Sequence, residues 1–310
     1  MKKTLLLFLA LSFVLPSAGC GGSGGGSSGN NEGSGQEKHD AAQPYVTLNS
    51  GYKMPLLGLG TWMQNDATAE QSVYEAIKDG YRLIDTALYY GNQVGVGKGV
   101  RRAVDDGLVT REEVFVTSKI LSSSNPDAAI DECNAALGLG YIDLMLIHQP
   151  GYNDEETYKA LERGVKSGKI RSIGISNYYT PEAFERINQI AEIPPAVVQN
   201  ENHLYYQNTA LQEYVKRYGT VIESWYPFGG RGHTAEHFNN ATIKTIAEAH
   251  GKTGAQVILR WHIQAGYVTI PGSSNPVHIA ENFDIFDFEL TDAEMREIAA
   301  LNRNQRYENW

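Results

Sequence analysis

The sequence predicts an α/β protein built as a (β/α)8 TIM barrel with an N-terminal β-hairpin. Three observations carry that reading. From Tyr45 onward, short apolar runs alternate with amphipathic segments, and eight strand signals can be counted. Several runs, such as Ile142-Asp143-Leu144-Met145-Leu146-Ile147, are almost continuously apolar, as strands buried on both faces of a parallel sheet are. Eight β-α units in this length fit a barrel of ~250 residues. A doubly wound sheet, the competing architecture, would usually carry a Gly-rich dinucleotide turn after its first strand.

Taken in chain order, Tyr45-Val46-Thr47-Leu48 and Tyr52-Lys53-Met54 flank Asn49-Ser50-Gly51, which reads as the hairpin. Strands are then expected over 56–60, 82–86, 114–119, 142–148, 172–176, 196–199, 221–225 and 268–271. Between them a helix over 70–79 places Val73, Ala76 and Ile77 on one face. Another is expected over Pro126–Leu137, where the lone thiol of Cys133 is a small packed residue. Thr180 followed by Pro181 supplies an N-cap and a proline at the first helical position.

The first forty or so residues read differently. Met1-Lys2-Lys3 is a positive start, and the largely apolar run from Thr4 to Leu15 is shorter than the ~20 residues a membrane-spanning helix needs. Such flanks suit a secretory signal. Pro16-Ser17-Ala18-Gly19-Cys20 resembles a bacterial lipoprotein box, although Ser17 stands where Leu is usual. The resemblance implies a lipid on Cys20 and an exported, membrane-anchored protein. If that signal is not functional, through a wrong start codon or an added linker, the protein is cytoplasmic. Gly21 to Gln36 holds eight Gly and four Ser, a composition with nothing to bury. The expected organisation is therefore a signal peptide over 1–20, a flexible tether over 21–44 and one barrel domain over 45–310.

Charge narrows the partners. The chain carries 26 Lys plus Arg against 36 Asp plus Glu, a net −10, which argues against nucleic acid. Without residues 1–20, which hold Lys2, Lys3 and no acid, 24 against 36 leaves −12. Two cysteines, Cys20 and Cys133, exclude a disulfide framework and a Cys-based zinc site. Gly58-Leu59-Gly60 and Gly95-Val96-Gly97-Lys98-Gly99 lack the spacing of a dinucleotide fingerprint, and no Walker A loop, GxSxG or HExxH motif is present. No metal is expected.

Chemistry in such a barrel belongs to the C-terminal ends of the strands. Those ends carry Asp85, Lys119 and His148, with Tyr90 in the loop after Asp85. A phenol has a free pKa near 10, and a neighbouring ammonium would lower it. Lys119 can play that part, Asp85 can hold the lysine, and His148 can polarise a carbonyl oxygen by hydrogen bonding. Together they suit protonation of an oxyanion as hydride reaches the adjacent carbon.

The segments 85–92 (Asp-Thr-Ala-Leu-Tyr-Tyr-Gly-Asn), 146–150 (Leu-Ile-His-Gln-Pro), 174–177 (Gly-Ile-Ser-Asn) and 54–62 (Met-Pro-Leu-Leu-Gly-Leu-Gly-Thr-Trp) resemble the signatures of the aldo-keto reductases, in family order. The resemblance implies a metal-free (β/α)8 barrel that reduces aldehydes or ketones with a nicotinamide cofactor. It makes Tyr90 the general acid, Lys119 and Asp85 its tuning pair, and His148 the group that orients the carbonyl. It assigns Ser176, Asn177 and Gln199 to the nicotinamide carboxamide, Trp225 to the ring, and Gly60, Thr61 and Trp62 to the adjoining loop. It assigns Ser273, Ser274, Glu281 and Asn282 to the adenosine end. The family's Ile-Pro-Lys-Ser reads Ile270-Pro271-Gly272-Ser273 here, and His278 replaces the arginine that clasps the 2′-phosphate. Loss of both cations weakens phosphate recognition. NADP(H) is therefore the favoured cofactor by family default, with NAD(H) admitted. The long C-terminal specificity loop of some members is expected to be short here; Trp62 and Trp225 are candidates to line an apolar pocket, with ordinary packing the expectation for Trp310. A second reading, a surface-tethered barrel that binds without turnover, is motivated by the export signal.

Overall fold

Eight parallel strands form the sheet expected from the apolar runs: β3 (Leu59–Gly60), β4 (Leu83–Asp85), β5 (Phe115–Ile120), β6 (Ile142–Ile147), β7 (Ile170–Ser176), β8 (Val197–Glu201), β9 (Val221–Trp225) and β10 (Val268–Thr269). This is the architecture of a computed structural model that describes residues 43–309. The expected signal peptide, Cys20, most of the tether and Trp310 lie outside the described residues. Each strand pairs with the next in sequence. The sheet closes on itself through parallel bridges Leu57↔Thr269 and Gly60↔Gly272, supported by Gly58 N donating to Thr269 O at 2.9 Å. Closure explains why β3 and β10 are shorter than the runs 56–60 and 268–271. Their outer residues make single bridges, and Pro271 has no N–H to extend the ladder.

The expected hairpin is present as β1 (Tyr45–Thr47) and β2 (Lys53–Pro55), paired antiparallel. Leu48 and Met54 are buried against Leu83, Phe115 and Leu144, so the hairpin plugs the N-terminal end of the barrel. Gln43 already bonds the backbone of Leu57 and Arg82, and Leu56 N donates to Pro44 O at 2.9 Å. Among the described residues, contacts with the barrel are present from Gln43 onward.

Eleven helices wrap the described sheet: α1 (Asp66–Asp79), α2 (Gln93–Asp105), α3 (Pro126–Leu137), α4 (Asp154–Lys166), α5 (Pro181–Asn188), α6 (Thr209–Val215), α7 (Thr234–Phe238), α8 (Ala241–His250), α9 (Gly254–Gln264), α10 (Pro276–Phe283) and α11 (Asp292–Ala299). Helix α1 begins four residues before the expected 70, because Asn65 caps it by accepting from Thr68 N at 2.9 Å. Helix α5 starts as expected, with Thr180 capping and Pro181 in the first turn. Cys133 is buried on α3, and burial pushes its thiol up to about 11, the environment of an inert packed residue.

The glycines of 95–99 serve close packing. A Cβ on Gly95 would collide with Asp66 O, one on Gly97 with Leu137 O, and one on Gly99 would approach Glu70 O to 2.7 Å. They let α2 lie against both α1 and the end of α3. After α11 the chain returns to the C-terminal rim. There the buried Glu201 carboxylate accepts from Tyr307 N at 2.6 Å and Glu308 N at 3.1 Å. Tyr307 stacks between His203 and His233, with ring centroids 4.6 and 3.6 Å away.

Candidate active site

Along each strand alternate residues face the barrel interior. Leu83, Phe115, Leu144 and Val197 fill its lower part, and further up the inward positions turn polar: Asp85, Lys119 and Gln199. Lys119 is fully buried, and its Nζ donates to Asp85 Oδ1 at 2.6 Å, Thr86 O at 2.9 Å and Tyr90 Oη at 3.2 Å. Tyr90 ends a single 3-10 turn, Leu88–Tyr90, closed by Gly91 in the left-handed region (φ 66°). The turn is held by Asn92, whose Oδ1 accepts from Thr86 Oγ1 at 2.8 Å while its Nδ2 donates to Thr61 O at 2.8 Å and Gln64 O at 3.0 Å. His148 follows β6, packs its ring 5.5 Å from that of Tyr90, and has a buried Nδ1 without a partner. The four expected acid-base residues therefore meet at one place.

Their electrostatics follow from burial and from the lysine. Burial pushes the Tyr90 phenol up to about 12, against the downward pull of Lys119. The sequence expectation of a lowered phenol has the sign of the lysine effect right, but desolvation outweighs it, so Tyr90 is a protonated donor at neutral pH. Burial opposes the Lys119 charge, but Asp85 and Tyr90 overcome it and raise the lysine pKa. Burial and the Lys119 charge hold His148 down at about 3, so its ring is neutral.

A cavity of about 580 Å³ opens onto this group. Of the expected cofactor residues, Gly60, Trp62, Ser176, Asn177, Gln199, Trp225, Ser273 and Ser274 line it. Thr61 does not. It is fully buried behind the wall, with its hydroxyl donating to Asp85 O at 2.8 Å. His278 (exposed), Glu281 (half-buried) and Asn282 (buried) sit on α10, off the cavity wall. Of the indole candidates, Trp62 and Trp225 line the cavity, and Trp225 Nε1 donates to Asn177 Oδ1 at 3.2 Å. The side chains at its floor suit a primary carboxamide: hydroxyl and amide groups of Ser176 and Asn177 beside Gln199, whose Nε2 already serves two carboxyl groups and whose oxygen is left to accept. Gln64 Oε1 is a buried acceptor without a partner on the same wall.

Sequence reasoning missed three features of the site. Asn92 gives no signal of this in residue type or spacing, because two of its three partners are backbone atoms of the distant 61–64 loop. Glu223 is fully buried two residues before Trp225, and an acid within a mostly apolar strand is its one visible signal. Strain was invisible too. Met63, Asn177 and Tyr226 all line the cavity with φ of 66°, 69° and 53°, conformations that cost non-glycine residues free energy and concentrate at functional sites. Among the described residues no cluster of three His, Cys, Asp or Glu is placed to hold a metal ion.

Comparison with known proteins agrees with this geometry. Residues 56–303 match the model of the aldo/keto reductase family. The chain is 40% identical over 305 residues to the NAD(P)H-dependent D-xylose reductase I,II of Candida tropicalis, an alignment covering 85% of this chain and 94% of that one. It is 43% identical over 267 residues to the 9,11-endoperoxide prostaglandin H2 reductase of Trypanosoma cruzi, covering 84% and 92%. Among solved structures, the Bombyx mori aldo-keto reductase in complex with NADP superposes with a TM-score of 0.81 at 32% identity, covering 86% of this chain and 95% of that one.

Proposed function

The chain belongs to the aldo/keto reductase family, and from that premise we propose the residue roles by which it works. It is an oxidoreductase that reduces aldehydes and ketones with NAD(P)H. The nicotinamide cofactor, when bound, supplies hydride to the carbonyl carbon. Tyr90 Oη gives its proton to the carbonyl oxygen, so one hydride and one proton convert the carbonyl to an alcohol. Lys119 Nζ, 3.2 Å from Tyr90 Oη, stabilises the phenolate left behind. Asp85 holds that ammonium by a buried contact of 2.6 Å. His148, neutral, donates a hydrogen bond that orients the carbonyl. Ser176, Asn177, Gln199 and Trp225 hold the nicotinamide, Gly60 and Trp62 flank it, and Ser273 and Ser274 lie toward the adenosine end. Thr61 supports Asp85 from behind, while His278, Glu281 and Asn282 remain proposed adenosine contacts on the strength of the resemblance.

NADP(H) is the favoured cofactor, as the family default. Gly272 contributes no charge and His278 lies on α10, so the discrimination against NAD(H) is weak. The observation that carries the assignment is that Asp85, Tyr90 and His148 line one cavity, with Lys119 buried behind them and bonded to the first two. A binding barrel without turnover has no comparable observation in its favour. The test is cofactor oxidation by the purified protein with NADPH or NADH and a panel holding D-xylose and apolar aldehydes. Turnover is expected, and its absence with both cofactors across the panel overturns the reading.

For the N-terminus we propose export and anchoring through a lipid on Cys20, supported by Lys2-Lys3, the apolar run to Leu15 and the Gly/Ser-rich stretch. Cell fractionation of the wild type and a Cys20→Ser variant tests it. A membrane-bound wild type and a released variant are expected; an uncleaved cytosolic wild type overturns it.

A further inference from the structure

Glu223 stands opposite Gln199 in the β8–β9 register and is fully buried. Gln199 Nε2 donates to Glu223 Oε2 at 2.8 Å and to Asp85 Oδ2 at 2.8 Å. An amide nitrogen has two hydrogens, and both are committed here to carboxyl oxygens. Turning the amide over would set its oxygen against Asp85 Oδ2, whose carboxylate is paired with Lys119 and has no hydrogen to give. Gln199 Oε1 is therefore the atom left to face a ligand on the cavity wall. The other oxygen of Glu223, Oε1, is buried without a partner. A side chain retained for packing alone would not leave such a group unsatisfied, since apolar neighbours such as Val197 and Val268 fill the same interior at no such cost.

We propose that Glu223 is a positioning residue for the nicotinamide cofactor: by taking one of the two Gln199 amide hydrogens it fixes Gln199 Oε1 as the acceptor for the cofactor's carboxamide N–H. The proposal rests on the reading of Gln199 as a holder of that carboxamide. It is tested by binding, not turnover. Titration calorimetry on the full chain compares NADPH and NADH with 2′-phospho-ADP-ribose and ADP-ribose, which keep the rest of the cofactor and lack the nicotinamide. Glu223→Met, which removes the acceptor, is expected to weaken both dinucleotides about tenfold, the worth of roughly one hydrogen bond. Its affinity for the two ADP-ribose probes should stay within about twofold. Glu223→Gln keeps an acceptor oxygen and should restore dinucleotide affinity.

Wild-type dinucleotide affinity in Glu223→Met, alongside a loss in Gln199→Met, overturns the role of Glu223 alone. Wild-type affinity in Gln199→Met as well overturns the assignment beneath it. Equal losses on the ADP-ribose probes mark general damage and also overturn the proposal. If Glu223→Met does not fold, Glu223→Thr, too short to reach Gln199, replaces it under the same criteria.

Discussion

Tyr90 is surrounded by groups that make it a donor held ready and not a phenolate. Its phenol lies up at about 12 through burial, with Lys119 3.2 Å away to receive the charge when the proton leaves. Tyr90→Phe removes the proton and little else, since the ring still packs on Trp62 (centroids 4.7 Å apart) and His148. Steady-state kinetics should therefore show kcat lower by about 10²–10⁴, the usual worth of a positioned general acid. Fluorescence titration should show NADPH affinity nearly unchanged. Retained turnover would remove Tyr90 from the role. The residue types here were legible in the sequence, because ionisable side chains at successive strand ends are unusual. Their charge states were not legible, because desolvation depends on what other elements bring close.

At the scale of elements, α2 shows what a glycine pattern can and cannot say. Its three glycines stood out in the sequence and lacked the dinucleotide spacing, but packing against α1 and α3 is what explains them. Gly97→Ala is expected to lower stability by about 1–3 kcal/mol, the range for forced overpacking. Urea denaturation would register this as a lower midpoint with an unchanged slope. An unchanged midpoint would mean that the Leu137 backbone yields freely. Strand interiors were readable from their apolar runs and helix starts from Thr180-Pro181. The ends of β3 and β10 and the start of α1 were not, since barrel closure and the Asn65 cap are set by contacts outside the periodic pattern.

Over the whole molecule, buried titratable groups tie stability to pH from both sides. His148, His237 and His262 are held down to about 3, 3 and 4, chiefly by burial. The unfolded chain protonates them below about pH 6.5 and the fold resists, so their contribution is present above that pH and lost as pH falls toward 4. Glu223 acts in the opposite sense. Burial, reinforced by Asp85, raises its carboxyl well above the ordinary range. Its contribution is full below the unfolded value near 4.3 and is lost as pH rises through the folded one. Glu223→Gln should accordingly gain stability over the wild type as pH rises from about 4.3, by up to about 1.4 kcal/mol per pH unit. Paired urea midpoints across pH measure that gap, and a constant gap would show that the fold does not shift the Glu223 pKa.

The sequence by itself determined the (β/α)8 plan, the hairpin, and the residues Asp85, Tyr90, Lys119 and His148, because local apolar periodicity and residue chemistry are properties of short segments. Only the tertiary structure decided that Thr61 supports Asp85 from behind the wall, that burial outweighs Lys119 and raises the Tyr90 phenol, and that Glu223 faces Gln199 across two strands. Those outcomes depend on register, closure and burial, which bring together residues as far apart as Asp85 and Glu223 and set the dielectric in which they act.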